Sequence, residues 1–197
     1  MSRDAPVDVD VHPLVARRWS PRSFTDAPVS ADALQRMLEA ARWAPSCFNE
    51  QPWRFLVADR SGDPEGHTRL GALLNEGNAW ARAAPVLVLG ATLERFARND
   101  RLNAHARYDL GQAVAWLTVQ ATHEGLFLHQ LAGFSREAAF RELGLPDGVD
   151  PVVMLAIGHL GPASALPPAL EARETAPRRR QPRQAITLGA RWDQPLT

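Results

Sequence analysis

The sequence predicts an α+β fold, a central sheet flanked by helices, and three observations carry that prediction. Two short runs, Pro85 to Leu89 (PVLVL) and Pro151 to Ile157 (PVVMLAI), are apolar throughout, as strands covered on both faces are. Capped helical segments lie around them: Ser30 precedes one, and Ser135 precedes another that closes at Gly144. No internal repeat or low-complexity linker divides the 197 residues, a length that suits one domain with a sizeable core.

In chain order, Leu34, Met37, Leu38 and Ala41 recur at helical spacing after Ser30. Pro45 stops that helix, because the residue before a proline is pushed out of the helical region. Arg54 to Ala58 reads as a strand and Glu65 to Leu74 as a weaker helix. The strand at Pro85 to Leu89 follows, and the longest helical pattern runs from Tyr108 to Glu124. Leu110, Ala113, Val114, Leu117 and Ala121 line one face of it, while Ala115, Trp116 and Val119 make the other face apolar as well. A helix apolar nearly all round is buried, and in a chain this small the predicted place is a subunit interface. Gly125 ends it, Leu126 to Leu131 reads as a short strand, and the Ser135 helix and the Pro151 strand complete the pattern. Residues 162–182 hold five of the 16 prolines without periodicity; such a tail builds no core of its own and must lie on something or stay disordered. Ile186 to Leu188 reads as an edge strand, added here or to a partner subunit.

Bulk properties exclude several functions. Lys plus Arg and Asp plus Glu both total 22, so no net charge attracts nucleic acid or an acidic membrane. Cys47 is the single cysteine, which rules out an intrachain disulfide and fits a reducing compartment. The acidic first ten residues do not read as an export signal, and apolar stretches such as Ala83 to Ala91 are too short to span a bilayer, so the expected setting is cytoplasmic. No glycine-rich nucleotide loop, HExxH or GxSxG is present, and the six histidines lack ligand spacing, so no metal is expected.

Three clusters remain: Arg17-Arg18-Trp19-Ser20-Pro21-Arg22, Ala44-Pro45-Ser46-Cys47-Phe48-Asn49-Glu50-Gln51-Pro52-Trp53, and Pro177-Arg178-Arg179-Arg180-Gln181-Pro182. Taken singly, each has a plain explanation: a solvated arginine pair, a turn after a helix stop, a solubilising tail. Together they closely resemble the nitroreductase family. Its R-x-S-x-R-x-F signature is matched by Arg18 to Phe24, its A-P-S-S-x-N-x-Q-P-W turn by Ala44 to Trp53, and its later G-F and L-G-L-P segments by Gly133-Phe134 and Leu143 to Pro146. Basic residues before a short strand close the pattern, here Arg178 and Arg180. The resemblance runs from His12 to Leu188.

That resemblance implies one nitroreductase-like domain over residues 1–197 with a mostly antiparallel sheet. It also implies a domain-swapped homodimer, in which an arm from about residue 162 wraps the partner. It implies FMN at the dimer interface, NADPH or NADH as electron donor, and a small-molecule acceptor such as a nitroaromatic, quinone or enone. Arg18, Arg178 and Arg180 are then the phosphate ligands, a role guanidinium suits because it offers two parallel donors to a dianion. Trp19 belongs to the same segment, and Ser20 would donate to phosphate or ribityl oxygens. Arg22 would sit at the flavin N1–O2 edge, where a cation favours reduction. Ser46, Cys47 and Asn49 would cross from the partner, with Cys47 standing where serine is common and acting as a small apolar group. Leu131, Ala132 and Gly133 would present backbone to the N5 edge, and Asn78 or Asn75 would reach the pyrimidine ring. The short stretch between Val88 and Tyr108 predicts an open site without a large lid. No catalytic side chain is expected. The competing reading is a flavin-holding protein without turnover.

Overall fold

The computed structural model describes residues 3–196; Met1, Ser2 and Thr197 lie outside them. In chain order the helices are α1 (Pro13–Arg17), α2 (Ala31–Arg42), α3 (Pro64–Leu73), α4 (Ala106–His123), α5 (Arg136–Leu143), α6 (Pro168–Thr175) and α7 (Arg183–Ile186). Strands β1 (Trp53–Asp59), β2 (Val86–Leu93), β3 (Phe127–Leu131) and β4 (Val149–Gly158) form one sheet in the order β1-β2-β4-β3, every neighbouring pair antiparallel.

Strand period explains the layers. Val86 and Val88 on β2, with Leu155 and Ile157 on β4, join one core with Met37 of α2 and Leu117 of α4. The intervening Leu87, Leu89, Met154 and Ala156 face the opposite core with Leu70 and Leu73 of α3. Burying each such leucine contributes roughly 1.5–3 kcal/mol, which makes the two central strands the rigid frame.

Local signals set the helix ends. The Ser30 hydroxyl accepts from Ala33 N at 3.2 Å, and Ser135 accepts from Ala138 N at 3.1 Å. Gly144, at φ 62°, closes α5 in the left-handed conformation that glycine adopts without penalty. The long helix α4 buries Leu110, Val114 and Leu117 but leaves Tyr108 69%, Trp116 51% and Val119 39% exposed. Among the described residues no helix is long and apolar enough to cross a membrane.

One expectation needs correction, and two segments carry more structure than the residue pattern indicated. The proline-rich tail takes the first of its two expected courses and lies on the rest of the chain: Pro168 stands in the first turn of α6, where its missing N–H costs nothing. That helix folds back onto residues 3–24 of its own chain. Residues 183–186 form the helical turn α7 rather than the approach to an edge strand, with Pro182 at its cap; Ile186 stays 68% exposed. The stretch after β2 is also more than a bare connection. Phe96 N donates to Arg101 O at 2.9 Å, Arg95 bridges Leu102, and this small hairpin lies against the turn that follows α2.

Candidate functional site

Residues 18–23 leave α1 in extended form, and their side chains alternate: Arg18, Ser20 and Arg22 are half-buried, while Trp19, Pro21 and Ser23 are buried. The three polar side chains therefore share one side, as the R-x-S-x-R spacing predicts. Arg18 Nη1 donates to Ser20 Oγ at 3.2 Å. Trp19 faces inward; its ring meets Phe127 edge-on at 5.9 Å and carries the Arg3 guanidinium 4.4 Å from its centre. The indole is thus a wedge under the segment, and only the Trp19 backbone is left for a ligand.

The segment is clamped from two sides. His129 on β3 donates from Nδ1 to Pro21 O at 2.8 Å, which fixes its tautomer because a carbonyl can only accept. The buried Glu174 carboxylate of α6 accepts from Arg22 N at 2.9 and 3.0 Å and from Ser23 N at 3.2 Å. Gly161 completes the contact. A Cβ there would lie 2.6 Å from Ser23 Oγ and 2.9 Å from Phe24 backbone, so no larger residue allows this approach.

Arg18, Arg178, Arg179, Arg180 and Arg183 border one cavity of about 510 Å³, whose other wall includes Val7 and Val9. The sequence-distant arginines therefore do converge. Burial holds the Arg18 guanidinium below its ordinary range, and the charges of Arg178 and Arg180 add to the effect. No salt bridge between described residues engages Arg18 or Arg180. Five arginines around a cavity whose single lining acid is Asp8 leave an excess of positive charge, which suits an anion. Arg178 differs from the other two. Its Nη1 donates to Arg3 O at 2.7 Å and Ala16 O at 2.9 Å, and its Nη2 to Arg18 O at 2.7 Å. Arg178 thereby ties the tail to the N-terminal segment and supports Arg18, instead of presenting a free fork.

The turn after α2 is strained. Phe48, Asn49 and Gln51 have φ of 55°, 58° and 51°, a left-handed run without glycine. Such residues cost on the order of 1–3 kcal/mol each and persist only where their surroundings hold them. Here Gln51 N donates to Ser46 Oγ at 3.0 Å, Cys47 N to Asp109 Oδ2 at 3.1 Å, and Ala97 N to Glu50 Oε1 at 2.6 Å. Phe48 is 69% exposed and carries the Arg98 guanidinium 3.8 Å from its ring centre. The turn's anchors are thus α4 and the hairpin after β2, and no hydrogen bond between described residues links Ser46, Cys47 or Asn49 to residues 18–23.

At the end of β3, Leu131 points into the core, Ala132 is exposed, and the Ala132 N–H enters none of the turn, loop or cap hydrogen bonds among the described residues. Gly133 O accepts from both Asn75 N at 3.2 Å and Asn78 Nδ2 at 3.0 Å. A Cβ on Gly133 would stand 2.3 Å from Asn78 Nδ2 and 2.6 Å from Asn75 Nδ2. Both asparagines therefore meet at this turn, and glycine is the residue that lets them.

Sequence reasoning missed Glu174, His129, Trp80 and Asp109. Trp80 packs against His129 with ring centres 4.7 Å apart and the planes tilted by 54°, and the Arg22 guanidinium lies 5.9 Å from its ring centre. None of these residues sits in a recognisable motif; their roles arise from packing across the sheet. His129 has a testable consequence. Burial pushes it below the ordinary histidine range, and nearby Arg22 and Arg18 act the same way. Burial lowers His67 likewise. Both are therefore proton-poor in the fold while the unfolded chain binds protons below about pH 6.5. Stability is full above that value and declines as pH falls through it. Urea unfolding at pH 7.5, 6.5 and 5.5 is expected to show this decline, and His67→Asn/His129→Asn to flatten it; equal slopes would contradict the assignment.

Known proteins share this architecture. A solved structure described as an oxidoreductase containing FMN superposes with a TM-score of 0.91 at 33% identity, over 98% of both chains. An uncharacterized 15.4 kDa protein of Mycolicibacterium smegmatis is 38% identical over 151 residues, covering 73% of this chain and 99% of that one. A Streptomyces coelicolor protein carried under the name NADH dehydrogenase/NAD(P)H nitroreductase is 28% identical over 165 residues, 74% of this chain and 82% of that one. The profile described as the nitroreductase family matches residues 15–78, the span holding both the R-x-S-x-R segment and the strained turn. With its antiparallel sheet, its clamped arginine segment and relatives aligned over nearly their whole length, the chain belongs to the nitroreductase family.

Proposed function

We propose that this protein is an FMN-dependent oxidoreductase that works in the cytoplasm as a homodimer, moving two electrons from NADPH or NADH to a small acceptor such as a nitroaromatic, quinone or enone. One observation carries the reading: Arg18 and Arg180, from opposite ends of the chain, border one cavity with three further arginines and a single acid, Asp8, and neither closes a salt bridge among the described residues. The FMN phosphate is a dianion and would balance that excess of positive charge, accepting from paired guanidinium donors. The relative that contains FMN and the one named for NAD(P)H support the same chemistry.

Arg18 and Arg180 would hold the phosphate, with Ser20 donating beside them and Arg178 supporting from behind. Arg22 would fix a cation at the pyrimidine edge, and the Ala132 and Gly133 backbone would border N5. When bound, FMN supplies the hydride chemistry; this chain's residues bind it, orient it and set the charge around it. No side chain here is assigned a proton-transfer role, and water can deliver the proton. Ser46, Cys47 and Asn49 would reach the cofactor from a second copy, consistent with their separation from residues 18–23 within one chain. The exposed Tyr108, Trp116 and Val119 on α4 supply an apolar face for that copy, and the arm beyond Arg183, with Trp192 90% exposed, supplies a segment to cross it. Obligate interfaces of this kind bury on the order of 2,000–5,000 Å².

The visible spectrum of the purified protein, before and after anaerobic NADPH and then NADH, tests the proposal. A flavin spectrum bleached by either nicotinamide is expected. A colourless protein that takes up no added FMN would overturn it. A yellow protein that neither donor bleaches would leave a flavin-holding protein without turnover.

A further inference from the structure

We propose that Glu174 is a positioning residue that holds Arg22 at the flavin site and moderates its charge; this rests on the FMN reading above. Glu174 lies in the tail, 152 residues from Arg22, and its side chain is only 3% exposed. A carboxylate this buried needs partners for both oxygens. Oε1 accepts from Arg22 N at 2.9 Å and Ser23 N at 3.2 Å, while Oε2 accepts from Arg22 N at 3.0 Å and stands 3.7 Å from Arg22 Nη1.

One carboxylate therefore grips both the backbone and the side chain of the same arginine. The Arg22 side chain remains 26% exposed, so it still faces outward from this grip, beside the Trp80 ring. Three more hydrogen bonds make α6 and its flanking residues a fixed support. Arg3 donates to Glu174 O and, at 2.8 Å, to Ala176 O; Ser23 Oγ donates to Pro162 O at 2.7 Å. The tail thus returns to the site to set one cation, not merely to cover it.

Pairing with a carboxylate removes part of the field that Arg22 projects. A fully unpaired cation at the pyrimidine edge would favour reduced flavin more strongly. Glu174 is thereby a brake on the flavin potential as well as a splint for Arg22. The sign is distinctive: losing Arg22's charge lowers the two-electron potential, whereas losing Glu174's charge raises it.

The test is a dye-equilibrated redox titration of the FMN-loaded wild type, Glu174→Gln, Arg22→Gln and the double variant. Gln keeps the size and an accepting oxygen while removing charge. Glu174→Gln is expected to raise the reduced-to-oxidised ratio at fixed potential about tenfold, or about 30 mV for two electrons. Because Glu174 acts through Arg22, that shift should vanish in the Arg22→Gln background. Glu174→Asp, which keeps the charge on a shorter stem, should move the potential in the same direction by less, and it serves if Glu174→Gln does not fold. Melting of the flavin-free proteins checks the fold independently. An unchanged potential in a folded, flavin-loaded Glu174→Gln, or a shift that persists without Arg22, overturns the inference while leaving the cofactor reading intact. A wild type that binds no FMN overturns both.

Discussion

The Arg18→Ala/Arg180→Ala double variant is expected to lose FMN while keeping its fold. Each charge-assisted hydrogen bond to a phosphate contributes roughly 1.5–3 kcal/mol, so two arginines together represent about 3–6 kcal/mol. That range corresponds to a weakening of roughly 100-fold to 10,000-fold in affinity. The fold should survive because neither guanidinium closes a salt bridge, and relief of like-charge crowding offsets part of any loss. Arg178→Ala should behave differently. It removes three bonds that join the tail to Arg3, Ala16 and Arg18, so it should loosen the N-terminal segment and melt at lower temperature. Flavin content after gel filtration, titration calorimetry with FMN, and thermal melts separate the two outcomes. Stoichiometric flavin in the double variant would remove Arg18 and Arg180 from the phosphate site.

Trp116→Glu is expected to break the proposed dimer and, with it, the proposed flavin binding. Trp116 is 51% exposed on a helix whose opposite face is packed into the core. A carboxylate placed unpaired in an apolar interface costs about 3–5 kcal/mol, and a two-fold interface presents it twice. Dissociation should strengthen by at least about 100-fold. Light scattering at micromolar concentration should show a dimer for the wild type and a monomer for the variant. FMN should be lost in parallel, because Ser46, Cys47 and Asn49 would no longer be contributed by a partner. A flavin-loaded dimer of Trp116→Glu would show that this face is not the interface.

Much of the frame was legible in the residues alone. The four strands, the caps at Ser30 and Ser135, the stop at Gly144 and the outward-facing apolar stripe on α4 all follow from local rules. Periodicity, capping and glycine geometry act over a few neighbouring residues, so they can be read directly. The candidate site was legible only in part, and for a definable reason. Arg18, Ser20 and Arg22 share a side because extended backbone alternates, which is a local fact. That Arg180 meets Arg18 followed only from resemblance, since the two lie at opposite ends of the chain.

The tail shows where local reading ends. Its prolines suppress periodicity, and nothing in Pro168 to Thr175 distinguishes Glu174 from an ordinary solvated acid. The same holds for His129, which alternation places on a strand but whose carbonyl partner comes from residue 21. Arg178 carries the family position of a phosphate ligand, yet its donors reach three backbone carbonyls. The sequence by itself determined the elements, the sheet's apolar faces and the identity of the charged residues near the site. Only the tertiary structure decided which charges face one another and which are already satisfied. Burial converts separation along the chain into contact through space, and a carboxylate or guanidinium takes its role from the partners it meets there.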